Sequence, residues 1–315
     1  MLSHQTITVR HPTGERIPMT VQDHVRANLT SLTAGQIKLA NALLADYPFA
    51  GLQPIQQLAD ATGVSPPSIS RFVNRLGFGG FGDFQHALIE ELREGSRSPR
   101  DLHALSSEGT ETGEGTSVCF LESYTQRAAE LVRQLPQTIT QQQLDSVAGL
   151  LGDPARSIYV RGGRISDTLA RFLSLHLRQT RPDIYHLADD PELWPDAVMR
   201  MRRRDVAVLF DFRRYQPSLE RLAAAISQQC RAQVVLITDK WQSPVARYAT
   251  HVIALPIEIG TAWDTGAAAL ALIEALVVTV SEQDWQSTEE RIKDWDALRA
   301  QLEGMNTRKT TEEKG

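Results

Sequence analysis

Cysteine is almost missing from this chain. Only Cys119 and Cys230 occur in 315 residues, which excludes a disulfide framework and fits a reducing compartment. Long apolar runs are missing too. The longest, AAALALIEALVVTV from Ala267 to Val280, is shorter than the roughly 20 residues that a spanning helix needs. It also carries Glu274 and reads as a buried core helix, so no membrane contact is expected. The start, MLSHQTITVRHPTGERIP, has no apolar core of a signal peptide, and a cytoplasmic protein is expected. Excess positive charge is lacking as well. With a net charge of −5, any nucleic-acid contact must come from a local patch rather than bulk attraction. No metal-ligand spacing, cysteine pair, Ser/His/Asp arrangement or cofactor motif stands out, and no repeat recurs at a fixed period. Neither a metal nor a cofactor is expected.

What is present divides in two. A chain of this length exceeds what one core usually organises, and EGSRSPRDLHALSSEGTETGEGTS (94–117) is rich in Gly, Ser, Thr and charge. Few apolar groups there could offset the entropy of ordering. The expected divisions are an N-terminal arm (1–29), a helical domain (30–94), a linker (95–117), an α/β domain (118–286) and a C-terminal helix and tail (287–315). A short helix around DLHAL is the other reading of the linker.

In the helical domain, IQQLADATGVSPPSISRFVNRLG (55–77) reads as two short helices joined at Thr62, Gly63 and Val64, with glycine permitting the corner. Ile55, Leu58 and Ala59 are expected to face Val64, Ile69, Phe72, Val73 and Leu76. Ser65 is placed to cap the second helix, and Pro66 and Pro67 suit its first turn. This is a helix-turn-helix pattern. Turning 100° per residue puts Pro67, Arg71 and Asn74 furthest from the apolar face, flanked by Ser65, Ser68, Ser70 and Arg75, the set expected to read a major groove. A bare packing hairpin is the alternative. Between Thr33 and Gly77, Lys38, Arg71 and Arg75 oppose Asp46 and Asp60, a net of only +1. Affinity for double-stranded DNA then depends on dimerisation, helix N-termini and backbone N–H groups.

The second region has another grammar. Apolar runs SIYVR (157–161), DIYHL (183–187), DVAVLF (205–210), QVVLIT (233–238) and HVIAL (251–255) alternate with helical segments, which predicts a parallel sheet covered on both faces. Ligands of open α/β sheets sit at the carboxyl ends of strands. That rim carries Gly162, Gly163, Arg164 and Ser166 after the first strand and Asp211, Arg213, Arg214 and Tyr215 after the third. Thr238 and Asp239 end the fourth, and Glu258 follows the fifth. Glycine and a helix N-terminus near Ser166 favour an anion. Arg164, Arg213 and Arg214 are suited to grip a carboxylate, sulfate or phosphate, with Asp211 orienting an arginine or accepting a sugar hydroxyl. A loop salt-bridged between Asp211 and either Arg213 or Arg214, closing the fold or a dimer, is the competing reading. Ser243 is expected to cap a helix, and His251 to lie at the sheet's far end.

The stretch LTAGQIKLANALLADYPFAGLQPIQQLADATGVSPPSISRFVNRLGFGGFGDFQHALIEEL closely resembles the N-terminal domain of RpiR/MurR-type bacterial transcriptional regulators, and the rest of the chain is more loosely similar. The resemblance implies an all-α helix-turn-helix domain followed by a sugar-isomerase (SIS) domain, an αβα sandwich on a five-stranded parallel sheet that binds phosphosugars. It places Gly163, Ser166 and Ala170 on the family's first loop with the spacing off by one. Where the family's third-strand loop reads like Ser-x-Ser-Gly-x-Thr, this chain has Asp211 to Tyr215, so the compact phosphate cradle is replaced. The expectation is a non-enzymatic regulator sensing an anionic sugar-derived metabolite and binding a two-fold symmetric operator as a homodimer or tetramer. A sugar-phosphate isomerase with an N-terminal assembly module, using Glu258 for proton transfer, is the alternative.

Overall fold

A computed structural model describes residues 8–10, 16–18, 20–108 and 119–312. The chain divides into two compact units, Met1–Arg97 and Ser98–Gly315. Part of the stretch read as a linker, residues 109–117, lies outside the described residues together with residue 118, as do parts of the N-terminal arm and the last three residues of the tail.

The first unit opens with a small antiparallel pair, β1 (Thr8–Arg10) and β2 (Arg16–Pro18). Helices α1 (Val21–Asn28), α2 (Ala34–Ala45), α3 (Phe49–Leu52), α4 (Ile55–Thr62), α5 (Pro66–Arg75) and α6 (Phe81–Ser96) follow. Their core gathers Leu39, Ala40, Leu58, Ile69, Phe72, Val73, Phe84 and Leu88, all buried. Burying a side chain as large as Phe72 contributes about 2–3 kcal/mol. Ile69, Phe72 and Val73 are spaced i, i+3, i+4, so α5 inserts one stripe into this core and leaves the opposite stripe outside. In GFGGFGDF, Phe78 meets Phe84 edge-on at 5.4 Å and Phe81 stacks on Phe84 at 5.9 Å, anchoring the start of α6. Glu91 of α6 accepts hydrogen bonds from the Val21 N–H and the Tyr47 hydroxyl. Burial pushes its carboxyl up to about 7.

The second unit begins with α7 (Pro99–Glu108), so a helix occupies much of the stretch expected as linker. Ser98 and Asp101 begin it reciprocally, the Ser98 N–H reaching Asp101 Oδ2 at 2.8 Å and the Asp101 N–H reaching Ser98 Oγ at 3.3 Å. Then come α8 (Phe120–Arg133), α9 (Leu135–Thr138) and α10 (Gln141–Gly152). The strands are β3 (Ile158–Gly162), β4 (Ile184–His186), β5 (Val206–Phe210), β6 (Gln233–Asp239) and β7 (His251–Leu255). They form one parallel sheet in the order β4-β3-β5-β6-β7. Helices α11 (Asp167–Thr180), α12 (Trp194–Arg200) and α13 (Pro217–Ala225) connect the strands, and α14 (Ala267–Gln283) and α15 (Trp285–Glu312) close the chain.

Strand alternation sorts β5 into two cores. Val206, Val208 and Phe210 pack with Leu173, Leu177, Leu272 and Ile273 on one face. Ala207 and Leu209 join Leu219, Leu222, Val234 and Leu236 on the other. The expected five-stranded αβα sandwich is therefore present. Among the described residues no helix is long and apolar enough to cross a membrane.

Candidate DNA-reading face and effector rim

Gly63 takes the left-handed conformation (φ 66°) that closes α4, its N–H bonding the Ala59 carbonyl at 2.8 Å. Any other residue there would be strained. Ala59 and Leu58 are buried where α4 meets α5, and Pro66 and Pro67 occupy the first turn of α5. Outward lie Ser65, Pro67, Arg71, Asn74 and Arg75, all exposed, with Ser68 and Ser70 half-buried beside them. Two details differ from expectation. Ser65 has the extended backbone of a cap, but its hydroxyl meets Ser68 Oγ at 3.0 Å instead of a backbone N–H. Arg75, also exposed, donates one guanidinium N–H to the Ser31 carbonyl at 2.5 Å. Among the described residues Arg71 touches only the Ser68 hydroxyl, at 3.0 Å, so its remaining donors stay on the open face.

In the second unit, the strand order places the chain's change of direction between β3 and β5. The connection from β3 runs to β4 on one side, and that from β5 runs to β6 on the other. Such a switch point opens a crevice at the carboxyl ends of the strands. The loops flanking it are Gly162–Ser166 and Asp211–Gln216. They are stitched together by the Gly163 N–H and the Ser166 hydroxyl, which both donate to the Phe210 carbonyl, at 2.9 and 2.7 Å. Ser166 Oγ also receives the Gly163 N–H at 2.8 Å. Gly162 has no alternative, since a Cβ there would sit 2.5 Å from the Asp167 nitrogen. Asp167 closes the turn by accepting the Gly162 N–H at 2.8 Å, and it also meets Arg161 and His186. Ala170, one turn further on, is wholly buried under the sheet.

Two of the rim's acids, Asp211 and Asp239, are internal. Asp211 pairs with neither arginine of its loop, contrary to the salt-bridged reading; it takes the Ser243 hydroxyl at 2.5 Å and the Gln216 N–H at 3.2 Å. Its carbonyl takes the Thr238 hydroxyl at 2.6 Å. Asp239, wholly buried, accepts the Arg213 N–H and the Tyr215 hydroxyl, each at 2.6 Å, and the Trp241 N–H at 3.1 Å. Burial drives Asp211 up to about 7 and Asp239 to about 6, and it raises the Tyr215 phenol as well. Desolvation outweighs the hydrogen bonds that favour the charged forms. Ser243 caps the following turn, accepting the Val245 N–H at 3.1 Å, as expected. His251 opens β7, at the end of the sheet away from this rim.

The arginines divide sharply. The Arg213 side chain is only 4% exposed; its guanidinium lies 4.1 Å from the Trp241 ring centre and 3.4 Å from both Glu258 and Asp264. Lys240 also pairs with Glu258 and lies over Trp241. Arg213 therefore serves the loop rather than standing open to a ligand. Arg164 and Arg214 are exposed and have no partner among the described residues. Arg214 sits at φ 68°, which turns the loop at that point. Trp241, Lys240, Asp264 and Gln216 complete the network without having been read from the sequence. Each follows a strand end, and only the position after an apolar run could have marked it.

Together these features define a class, a helix-turn-helix unit joined to a doubly wound α/β unit with a polar strand-end crevice. The helix-turn-helix domain of the rpiR family matches residues 19–95, and the SIS domain matches residues 153–279. The chain belongs to the RpiR family of transcription regulators. Among solved structures, the Vibrio vulnificus NanR protein complexed with ManNAc-6P is similar with a TM-score of 0.50 and 17% identity, over 89% of this chain and 98% of that one. The sugar isomerase domain of an RpiR transcription factor from Sphaerobacter thermophilus gives 0.52 and 15%, over 56% and 98%. At such identities the likeness shows the fold.

Proposed function

We propose that the protein binds a double-stranded operator through the outer face of α5 and that an anionic, sugar-derived effector at the β3/β5 crevice alters that binding without being turned over. The observation that carries the reading is the division of labour at the crevice. Arg213, Lys240, Glu258 and Asp264 neutralise one another, while Arg164 and Arg214, on the two loops flanking the switch point, keep unpaired charge. Arg164, just before the N-terminus of α11, and Arg214, on the other loop of the crevice, suit a carboxylate or phosphate. The phosphate need not lie over the buried Asp211 and Asp239, whose charge would oppose a dianion. Glu258, the carboxylate an isomerase would use, is already held by Lys240 and Arg213, which favours binding over proton transfer.

On the DNA side, Arg71 and Asn74 supply groups for base edges, and Pro67, Ser68 and Ser70 line the approach. Arg75 positions α5 through Ser31 instead of reading bases. One short helix with so few cations needs a second copy for affinity, so a homodimer or tetramer on a two-fold site is part of the proposal. Screening the full chain by thermal shift against sugar phosphates, sugar acids and sulfated sugars tests the effector reading. A ligand at 100 times its Kd stabilises its unit by about 2.7 kcal/mol. Failure of every anionic sugar to shift the transition, with neutral sugars succeeding, would reject the anion site.

A further inference from the structure

At the opposite end of the sheet, a groove of about 850 Å³ opens between the β4 edge and α12, within the range typical of small-ligand sites. Its wall is aromatic. Tyr159 and Tyr185 are register partners on β3 and β4 and stack at 5.2 Å with 27° between their rings. Tyr185 is 44% exposed, because the edge strand has no neighbour beyond it and the helix on this side leaves its ring open. The groove's rim is basic. In MRRRD, Arg202 and Arg204 of the turn before β5 line the groove, and Arg200, ending α12, joins them. The three guanidinium groups are exposed and have no hydrogen-bond or salt-bridge partner among the described residues.

This arrangement is held in place. Asp205, 2% exposed, accepts the Ser157 N–H at 3.0 Å and the Arg202 N–H at 2.7 Å. Arg156, itself paired with Asp153, donates to the Arg204 carbonyl at 2.6 Å. The loop presenting the arginines is thus tied to the start of β3. The Trp194 indole fixes the other wall by donating to the Ala188 carbonyl at 2.8 Å. Besides Asp205, two carboxylates line the groove: Asp183, which receives the Tyr185 hydroxyl at 3.0 Å, and Asp196. They oppose a polyanion running the length of the groove and suit hydroxyl groups between a ring and its charge.

We propose that this groove is a second ligand site, separate from the crevice, which takes a free nucleoside phosphate. A planar base would lie on Tyr185, ribose hydroxyls would meet Asp183 or Asp196, and the phosphates would meet Arg200, Arg202 and Arg204. Stacking and charge-assisted hydrogen bonds are each effective with such ligands. No chemistry on the nucleotide is implied.

The test is calorimetric titration of the full chain with ADP, adenosine, pyrophosphate and a single-stranded oligonucleotide, repeated on Tyr185→Leu and on the Arg202→Gln/Arg204→Gln double variant. ADP is expected to bind, with adenosine and pyrophosphate each weaker by about ten-fold or more, and each variant is expected to weaken ADP by at least about ten-fold. Any thermal shift by an anionic sugar should be unchanged in both variants, which separates this site from the crevice, and the ADP titrations stand by themselves if no sugar shifts the transition. Absence of ADP binding would overturn the proposal. So would pyrophosphate binding as tightly as ADP, ADP affinity unaltered in both variants, or binding of the oligonucleotide alone. Should Tyr185→Leu fail to fold, the double variant decides, since its side chains carry no internal bonds.

Discussion

Replacing Arg213 and Arg214 separately should give opposite phenotypes, although the two residues are neighbours. Arg213→Ala removes a guanidinium that is 4% exposed, stacked 4.1 Å from Trp241 and placed 3.4 Å from Glu258 and Asp264. The cation–π contact alone is worth about 0.5–2 kcal/mol. Removing one partner of a buried charge network costs about 3–5 kcal/mol when fully desolvated. Glu258 and Asp264 keep some solvent access, and Glu258 retains Lys240. The net expectation is a loss of about 2–3 kcal/mol, a midpoint lower by roughly 5–10 °C for a unit of this size. The backbone N–H that binds Asp239 survives the change.

Arg214→Ala should leave stability within about 0.5 kcal/mol, as for other exposed sites. It should weaken the effector by about ten-fold or more through loss of charge-assisted hydrogen bonds. Differential scanning calorimetry with and without the anionic sugar found by screening measures both effects. Normal stability but no effector response in Arg213→Ala, together with full response in Arg214→Ala, would refute the assignment of Arg213 to the loop and Arg214 to the ligand.

Three further outcomes follow from the same geometry. Arg71→Ala should cost about 1–3 kcal/mol of specific operator affinity, measured by fluorescence anisotropy at fixed salt, with folding unchanged; equal affinities would remove Arg71 from base reading. Glu91, raised to about 7 from 4.5 by burial, favours the folded state most when protonated. Its contribution is full below about pH 4.5 and is lost as pH rises through about 7. Glu91→Gln keeps an acceptor for the Val21 N–H and turns an amide N–H toward the Tyr47 oxygen in place of the oxygen that now accepts from its hydroxyl, so it should abolish that slope and exceed the wild type by up to about 3 kcal/mol at pH 9. Comparing hydrogen exchange of the Val21–Asn28 peptide in both proteins at each pH reads this, and parallel curves would contradict it. Gly162→Ala should destabilise the second unit by about 2–4 kcal/mol, because the added carbon meets the Asp167 backbone; an unchanged thermal transition would show that the turn yields freely.

Much of the architecture was legible because its signals are local. Gly63, the proline pair after Ser65 and the Ile69/Phe72/Val73 spacing mark α4 and α5, and each strand of the sheet coincides with an apolar run. The helix Pro99–Glu108 was legible only as the alternative to a linker, because its composition is polar, although Ser98 and Asp101 supply a local start signal. The rim was legible in position but not in use. Which cations remain open depends on Glu258 and Asp264, which reach Arg213 from the far side of β6 and β7, and on a tryptophan two residues past β6. Nothing near residues 210–217 encodes those partners. Likewise, Asp211 finds Ser243 and Asp239 finds Tyr215 only once parallel pairing has aligned the strand ends.

The account rests on the exposed face of α5 reading duplex sequence, and selection of the full chain on a random duplex library tests it most directly. Carried out at a salt concentration that suppresses non-specific binding, the selection should enrich one two-fold symmetric site, and Arg71→Ala should relax the preference at the positions that residue contacts. Recovery of no preferred sequence, in the absence of effector and with each anionic sugar that shifts the thermal transition, would contradict it.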